Sequence, residues 1–84
     1  MEARTMADVA ESILNSHGKA DFAKLFDETA KILFSKWRKE TIESISDEKM
    51  LEIKRGELYK LLTIDGRFFR NENGTWTTIR PDID

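Results

Sequence analysis

Three stretches of helical periodicity precede one abrupt change of pattern at Ile64-Asp65-Gly66, and that order limits what the chain can fold into. Upstream, apolar residues recur at three- and four-residue spacing, which lines one face of a helix. Downstream, short β-prone runs flank Asn73-Gly74, a dipeptide that marks a hairpin turn. Helices first and a hairpin last make an α+β chain.

The first stripe is Met6, Val9, Ala10, Ile13 and Leu14. Thr5 stands where a cap belongs, with Asp8 three residues on as a weak capping box, and Gly18 is placed for a left-handed C-cap. Lys19-Ala20-Asp21-Phe22 reads as a short, briefly extended link whose Asp21 caps a second helix. The inward face of that helix is Phe22, Leu25, Phe26, Ala30 and Leu33, widened by Ile32, Phe34 and Trp37. It runs to about Lys39 or breaks near Ser35; the sequence leaves both open. Within residues 35–46, Thr41, Ile42 and Ile45 have the spacing of a short separate helix. Ser46-Asp47-Glu48 then starts a third helix, with Leu51, Leu58, Leu61 and Leu62 inward and Met50 and Ile53 at the margin. Gly56 lies in its interior at a cost of roughly 0.5–1 kcal/mol relative to Ala, which close helix packing would explain.

Strand-like segments are expected at 67–70 and 75–79 around a turn at 71–74, with Pro81 ending the second. A two- or four-residue loop puts Phe69 on the face of Trp76; a three-residue loop puts Phe68 there instead. One hairpin face covers the helices and the other is left partly exposed. Three to four helices followed by a β-hairpin wing is the layout of a winged helix, and a short strand near Ala20 would complete a small sheet. The expected fold is therefore α+β, winged-helix-type, over residues 1–80, with 81–84 a C-terminal stub that reads as the start of an acidic tail.

With 84 residues the chain makes one domain and buries only about 60–65% of its unfolded surface, so Phe68 and Trp76 are needed inside. It has no cysteine and one histidine, His17, which excludes disulfides and ordinary zinc sites. No cofactor is expected: the glycines are scattered and form no phosphate loop. The acidic pairs Asp27-Glu28 and Asp47-Glu48 read as helix-surface charge rather than catalytic carboxylates, and Ser12 and Ser16 have no triad around them. No apolar run approaches the roughly 18 residues of a membrane span, and the N-terminus lacks a secretory layout. The expectation is a cytoplasmic, non-catalytic protein, monomeric before it meets its partner.

The net charge is −2, which opposes long-range attraction to nucleic acid. Even so, Lys54, Arg55 and Lys60 lie on the third helix, where winged helices present a recognition helix, and Arg67 and Arg70 flank the hairpin aromatics. Glu52, Glu57 and Glu72 are interleaved with them, as on a solvated, ion-paired face. Trp37 and Arg38, between Lys36 and Lys39, form the densest basic-aromatic cluster. That cluster anchors a partner, or Trp37 closes the core.

The run Leu62-Thr63-Ile64-Asp65-Gly66-Arg67-Phe68, followed by Thr75-Trp76, resembles the N-terminal domain of the delta subunit of bacterial RNA polymerase, a member of the HARE helix-turn-helix group. The resemblance extends from about Met6 to Arg80: Phe22 and Leu25 match the opening of the second helix, and Tyr59 and Leu62 the end of the third. Residues 35–46 lengthen the connection relative to the family pattern, and Thr78 stands where the family has an apolar residue. The resemblance implies an accessory subunit that docks on core RNA polymerase through this folded domain. The family's acidic tail, thought to compete with nucleic acid and promote recycling, would continue from the C-terminal stub. A DNA-binding winged-helix regulator and a general protein-interaction module are the other two functions that fit the residues.

Overall fold

The computed structural model describes residues 5–80 and is α+β: three helices followed by one two-stranded antiparallel hairpin. Pro81 and the 81–84 stub lie outside the described residues. Helix α1 spans Met6–His17, α2 Phe22–Glu40 and α3 Asp47–Ile64; the strands are β1 Phe69–Arg70 and β2 Trp76–Thr77.

Each helix starts where a side-chain oxygen can satisfy a free N–H. Thr5 and Asp8 form a reciprocal capping box on α1, with the Asp8 N–H donating to Thr5 Oγ1 at 3.0 Å and the Thr5 N–H donating to Asp8 Oδ2 at 3.3 Å. Asp21 accepts from the Lys24 N–H at 2.8 Å, and Ser46 from the Lys49 N–H at 3.1 Å. Gly18, at φ +87°, ends α1; a side chain is strained in that conformation, so glycine suits the position.

Helix α2 does not break at Ser35. It continues to Glu40, and residues 41–46 form a loop rather than a fourth helix. Arg38 explains how that loop is held. Its guanidinium donates to the carbonyls of Ile42 and Ile45, both at 2.9 Å, and to Asp47 Oδ1 at 2.6 Å. The side chain thereby satisfies loop carbonyls that a helix would have satisfied itself. The connection between α2 and α3 is thus a clamped loop.

The core is the meeting of the three inward stripes. Val9, Leu14, Leu25 and Leu58 are fully buried, and Met50 and Leu62 nearly so. Each contributes about 1.5–3 kcal/mol through removal from water. Thr29 is also fully buried, its hydroxyl donating to the Leu25 carbonyl at 2.8 Å, so no polar atom is stranded there. At the margins Ile32 is exposed at 53%, against expectation, and Ile53, left at the edge of its stripe, at 42%.

A row of five aromatic rings runs through the domain. Trp37 stacks on Phe26 at 6.1 Å, Phe26 on Phe22 at 6.5 Å, Phe22 meets Tyr59 edge-on at 5.5 Å, and Tyr59 meets Trp76 edge-on at 6.3 Å. The row links the end of α2 to the hairpin through α3. Such contacts add about 0.5–1.5 kcal/mol per pair beyond burial.

The hairpin register pairs Phe69 with Thr77 and Arg70 with Trp76. Residues 72–74 form a three-residue loop: the Asn71 N–H donates to the Thr75 carbonyl at 2.8 Å, and the Gly74 N–H to the Asn71 carbonyl at 2.9 Å. Gly74 takes φ +92°, the left-handed position that closes such a loop. Of the two registers the sequence allowed, this one puts Phe68 on the Trp76 face, and both are buried. The strands are shorter than 67–70 and 75–79. Ala20 bridges Trp76 through two backbone hydrogen bonds of 2.8 and 3.1 Å; the link between α1 and α2 makes this one isolated bridge rather than a third strand. Thr78 donates to Asn15 Oδ1 at 2.6 Å, which gives a polar residue a purpose where an apolar one was expected.

Gly56 is not explained by packing. A Cβ built at this position meets nothing within 4 Å. Gly56→Ala should therefore raise the unfolding free energy by about 1 kcal/mol, read as a higher urea midpoint with unchanged slope.

Candidate functional site

The seven residues proposed for partner contact separate into two groups once the fold is known. Trp37, Arg38, Lys54 and Arg67 are engaged within the domain. Arg55, Lys60 and Arg70 remain exposed and form no ion pair among the described residues.

Trp37 is only 3% exposed, because the unbroken α2 carries it one turn further onto the face that packs α3. Its contact role is thereby replaced by a core role. Lys54 lies over the Trp37 ring at 5.7 Å and pairs with Glu57 at 3.4 Å. Arg38 is the loop clamp described above.

Arg67 is the most heavily committed cation in the structure. It meets Asp65 through two parallel bonds, Nε to Oδ1 at 3.1 Å and Nη2 to Oδ2 at 2.9 Å. Its Nη1 reaches across to α1, to Glu11 at 2.9 Å and Asp8 at 3.2 Å. The Arg67 N–H also donates to Asp65 Oδ1 at 3.0 Å. The Asp65-Gly66-Arg67-Phe68 element is thus a joint: it ends α3, turns the chain and ties the start of the hairpin to α1. Gly66 has open space where a Cβ would be and no positive φ, and Ile64 is exposed, so Asp65, Arg67 and Phe68 carry the joint. The other motif residues behave as structure: Phe22, Leu25, Leu62 and Trp76 pack inward, and Tyr59 is half-exposed but wedged between the rings of Phe22 and Trp76.

This joint has a pH signature. The Asp65 carboxyl is held below its ordinary value by the Arg67 guanidinium, and that of Asp8 by the Thr5 N–H and then by Arg67. Arg67 itself is pushed upward, chiefly by Asp65 and then Glu11, so it stays charged at all working pH values. Carboxylates with depressed folded values stabilise fully above the unfolded value of 3.8, and that stabilisation is lost as pH falls through the folded ones. Arg67→Met should lower stability at neutral pH. The gap to the parent should close as pH falls below the ordinary carboxylate value of 3.8, in urea unfolding followed across that range.

Three cations thus remain for a partner. Arg55 lies over the Phe26 ring at 5.7 Å and Arg70 over the Trp76 ring at 5.7 Å, with their outer faces open; Lys60 projects from α3. Two concave regions accompany them. One, of about 860 Å³, lies between the end of α1 and the hairpin and includes His17, Lys19, Arg70 and Ile79. The other, of about 310 Å³, is a shallow apolar groove of Ala30, Phe34 and Leu51 between α2 and α3. The sequence reading missed Lys19: its only signal was adjacency to the short strand expected near Ala20, whose bridge to Trp76 brings it beside the hairpin.

Among the described residues no three His, Asp or Glu side chains gather as a metal site, and no helix is long and apolar enough to cross a membrane. The described surface presents exposed cations and several exposed isoleucines. Set against protein-family models, curated proteins and solved structures, the chain gives no significant match.

Proposed function

We propose that this chain is a winged-helix-type accessory domain that docks, without catalysis of its own, on bacterial core RNA polymerase in the cytoplasm. The observation that carries the reading is the joint at Asp65-Gly66-Arg67-Phe68 with Trp76. The residues that resemble the delta subunit's N-terminal domain are the ones that seat the hairpin here, through the Arg67 ion cluster and the burial of Phe68 and Trp76. The isolated Ala20–Trp76 bridge, between α1 and α2, supports the same layout by tying that link to the hairpin. In this reading the joint preserves the shape of the domain, and Arg55, Lys60 and Arg70 meet the polymerase.

A DNA-binding regulator is the second reading, favoured by Arg55 and Lys60 on α3 and Arg70 on the hairpin. Three exposed cations on a chain of net charge −2 give it little electrostatic drive. Co-elution of the purified chain with core RNA polymerase at moderate salt, with a short DNA duplex run in parallel, separates the two. Stoichiometric co-elution without duplex binding is the expected result. Duplex binding that falls steeply with salt, with no polymerase association, would replace docking by DNA regulation.

A further inference from the structure

We infer that the cleft between the end of α1 and the hairpin binds a short acidic peptide segment bearing an apolar side chain, contributed by the protein on which the domain docks. The inference rests on the docking reading above and names the chemistry of its contact.

Charge distribution is the first ground. Lys31, Lys36, Arg38, Lys49, Lys54 and Arg67 each meet a carboxylate within 4 Å. Lys24, Lys39, Arg55 and Lys60 meet none among the described residues, and they line neither concave region. Lys19 and Arg70 form no ion pair among the described residues, and both line this one cleft of about 860 Å³. Glu72 is the single acid on its wall. Two unpaired cations against one acid leave a small positive excess in a concave surface, which complements carboxylates.

The second ground is how the cleft is built. Gly18 turns the chain at φ +87°, and the Thr77 hydroxyl donates to the Gly18 carbonyl at 2.8 Å. The Ala20–Trp76 bridge then fixes Lys19 beside the hairpin. Arg70 is held over Trp76, which restricts its guanidinium before any ligand arrives. Asn73 spends its Oδ1 on Thr75, accepting from the N–H at 3.1 Å and the hydroxyl at 2.8 Å. The wall is preformed by backbone bonds on both sides.

The third ground selects peptide over nucleic acid. Ile79 is 63% exposed in the same cleft, an apolar surface that a phosphodiester backbone does not use and a leucine or phenylalanine does. The overall charge of −2 repels a long polyanion more than a segment with a few carboxylates.

Amide NMR titration of the chain with a short peptide of glutamates around one central leucine, and separately with a short DNA duplex, tests this. Shift changes that saturate with the peptide and cluster at residues 17–20 and 70–79 are expected, with weaker changes from the duplex. Lys19→Glu combined with Arg70→Gln should weaken the peptide roughly tenfold. Lys19→Glu alone leaves the Trp76 contact untouched and should weaken it by roughly threefold, which keeps the test decisive if the double variant loosens the hairpin. Shifts centred on α3, an affinity indifferent to Lys19→Glu, no saturation, or tighter binding of the duplex would each overturn the inference. The same variants in polymerase co-elution separate the two claims. Equal retention of parent and variant removes the cleft and leaves docking standing; no retention of the parent removes docking, and the peptide titration still decides the cleft.

Discussion

Trp37→Ala should lower the unfolding free energy by about 3–5 kcal/mol, enough to leave a domain of this size barely folded. The residue sits in the densest basic stretch of the chain, where a contact role was one of two readings. Its surroundings decide for the core. It is 3% exposed, stacked on Phe26, and roofed by the Lys54 ammonium. Truncation removes the end of the aromatic row and leaves a cavity that α2 and α3 cannot close without shifting. Trp37→Phe keeps a ring in the stack and should lose about half as much or less. Urea unfolding of the three proteins checks this. A loss within about 0.5 kcal/mol for Trp37→Ala, the range of an ordinary surface position, would mean that the ring is not part of the core.

Trp76→Ala should cost about 3–5 kcal/mol and act on a different part of the domain. Trp76 joins the hairpin to the rest from both sides. Its backbone pairs with Ala20, and its ring meets Tyr59 of α3 while Arg70 covers it. Without the ring the Ala20 pairing loses the packing that keeps water from it. Amide exchange should quicken at Ala20 and Trp76 together, ahead of the centres of α1 and α3. If global unfolding is weakened but Ala20 exchange stays tied to the helices, the hairpin is not a separable unit. The two tryptophans are the only ones in the chain, so each variant retains a single fluorescent reporter at the opposite end of the aromatic row.

Much of the fold was legible because it depends on neighbours in sequence. The caps at Thr5, Asp21 and Ser46, the stop at Asp65 and the hairpin at Asn73-Gly74 are local choices, and each occurs as its residues suggest. The strand expected near Ala20 is reduced to a single bridge with Trp76. Residues 35–46 stayed open because the spacing of Thr41, Ile42 and Ile45 also permits a short separate helix. The loop instead depends on Arg38 bonding two of its carbonyls, which periodicity does not encode. Gly56 was assigned a packing role that needs a neighbour, and the structure has none there.

The candidate surface was less legible than the fold, for one physical reason. A basic residue reads the same in sequence whether it faces a partner or a carboxylate brought near by folding. Arg67 meets Asp8 and Glu11 from more than fifty residues away. Arg38 finds the loop it holds only because α2 does not stop at Ser35. What folding leaves over is a shorter set, Arg55, Lys60 and Arg70, joined by Lys19.

Amide hydrogen exchange of the chain alone and with saturating core RNA polymerase tests the account most directly. It predicts slowed exchange over one contiguous surface that includes exposed amides of the hairpin or α3, while amides around Trp37, already protected by the core, stay unchanged. Identical exchange in the two samples, at polymerase concentrations that retain an accessory subunit, would contradict it.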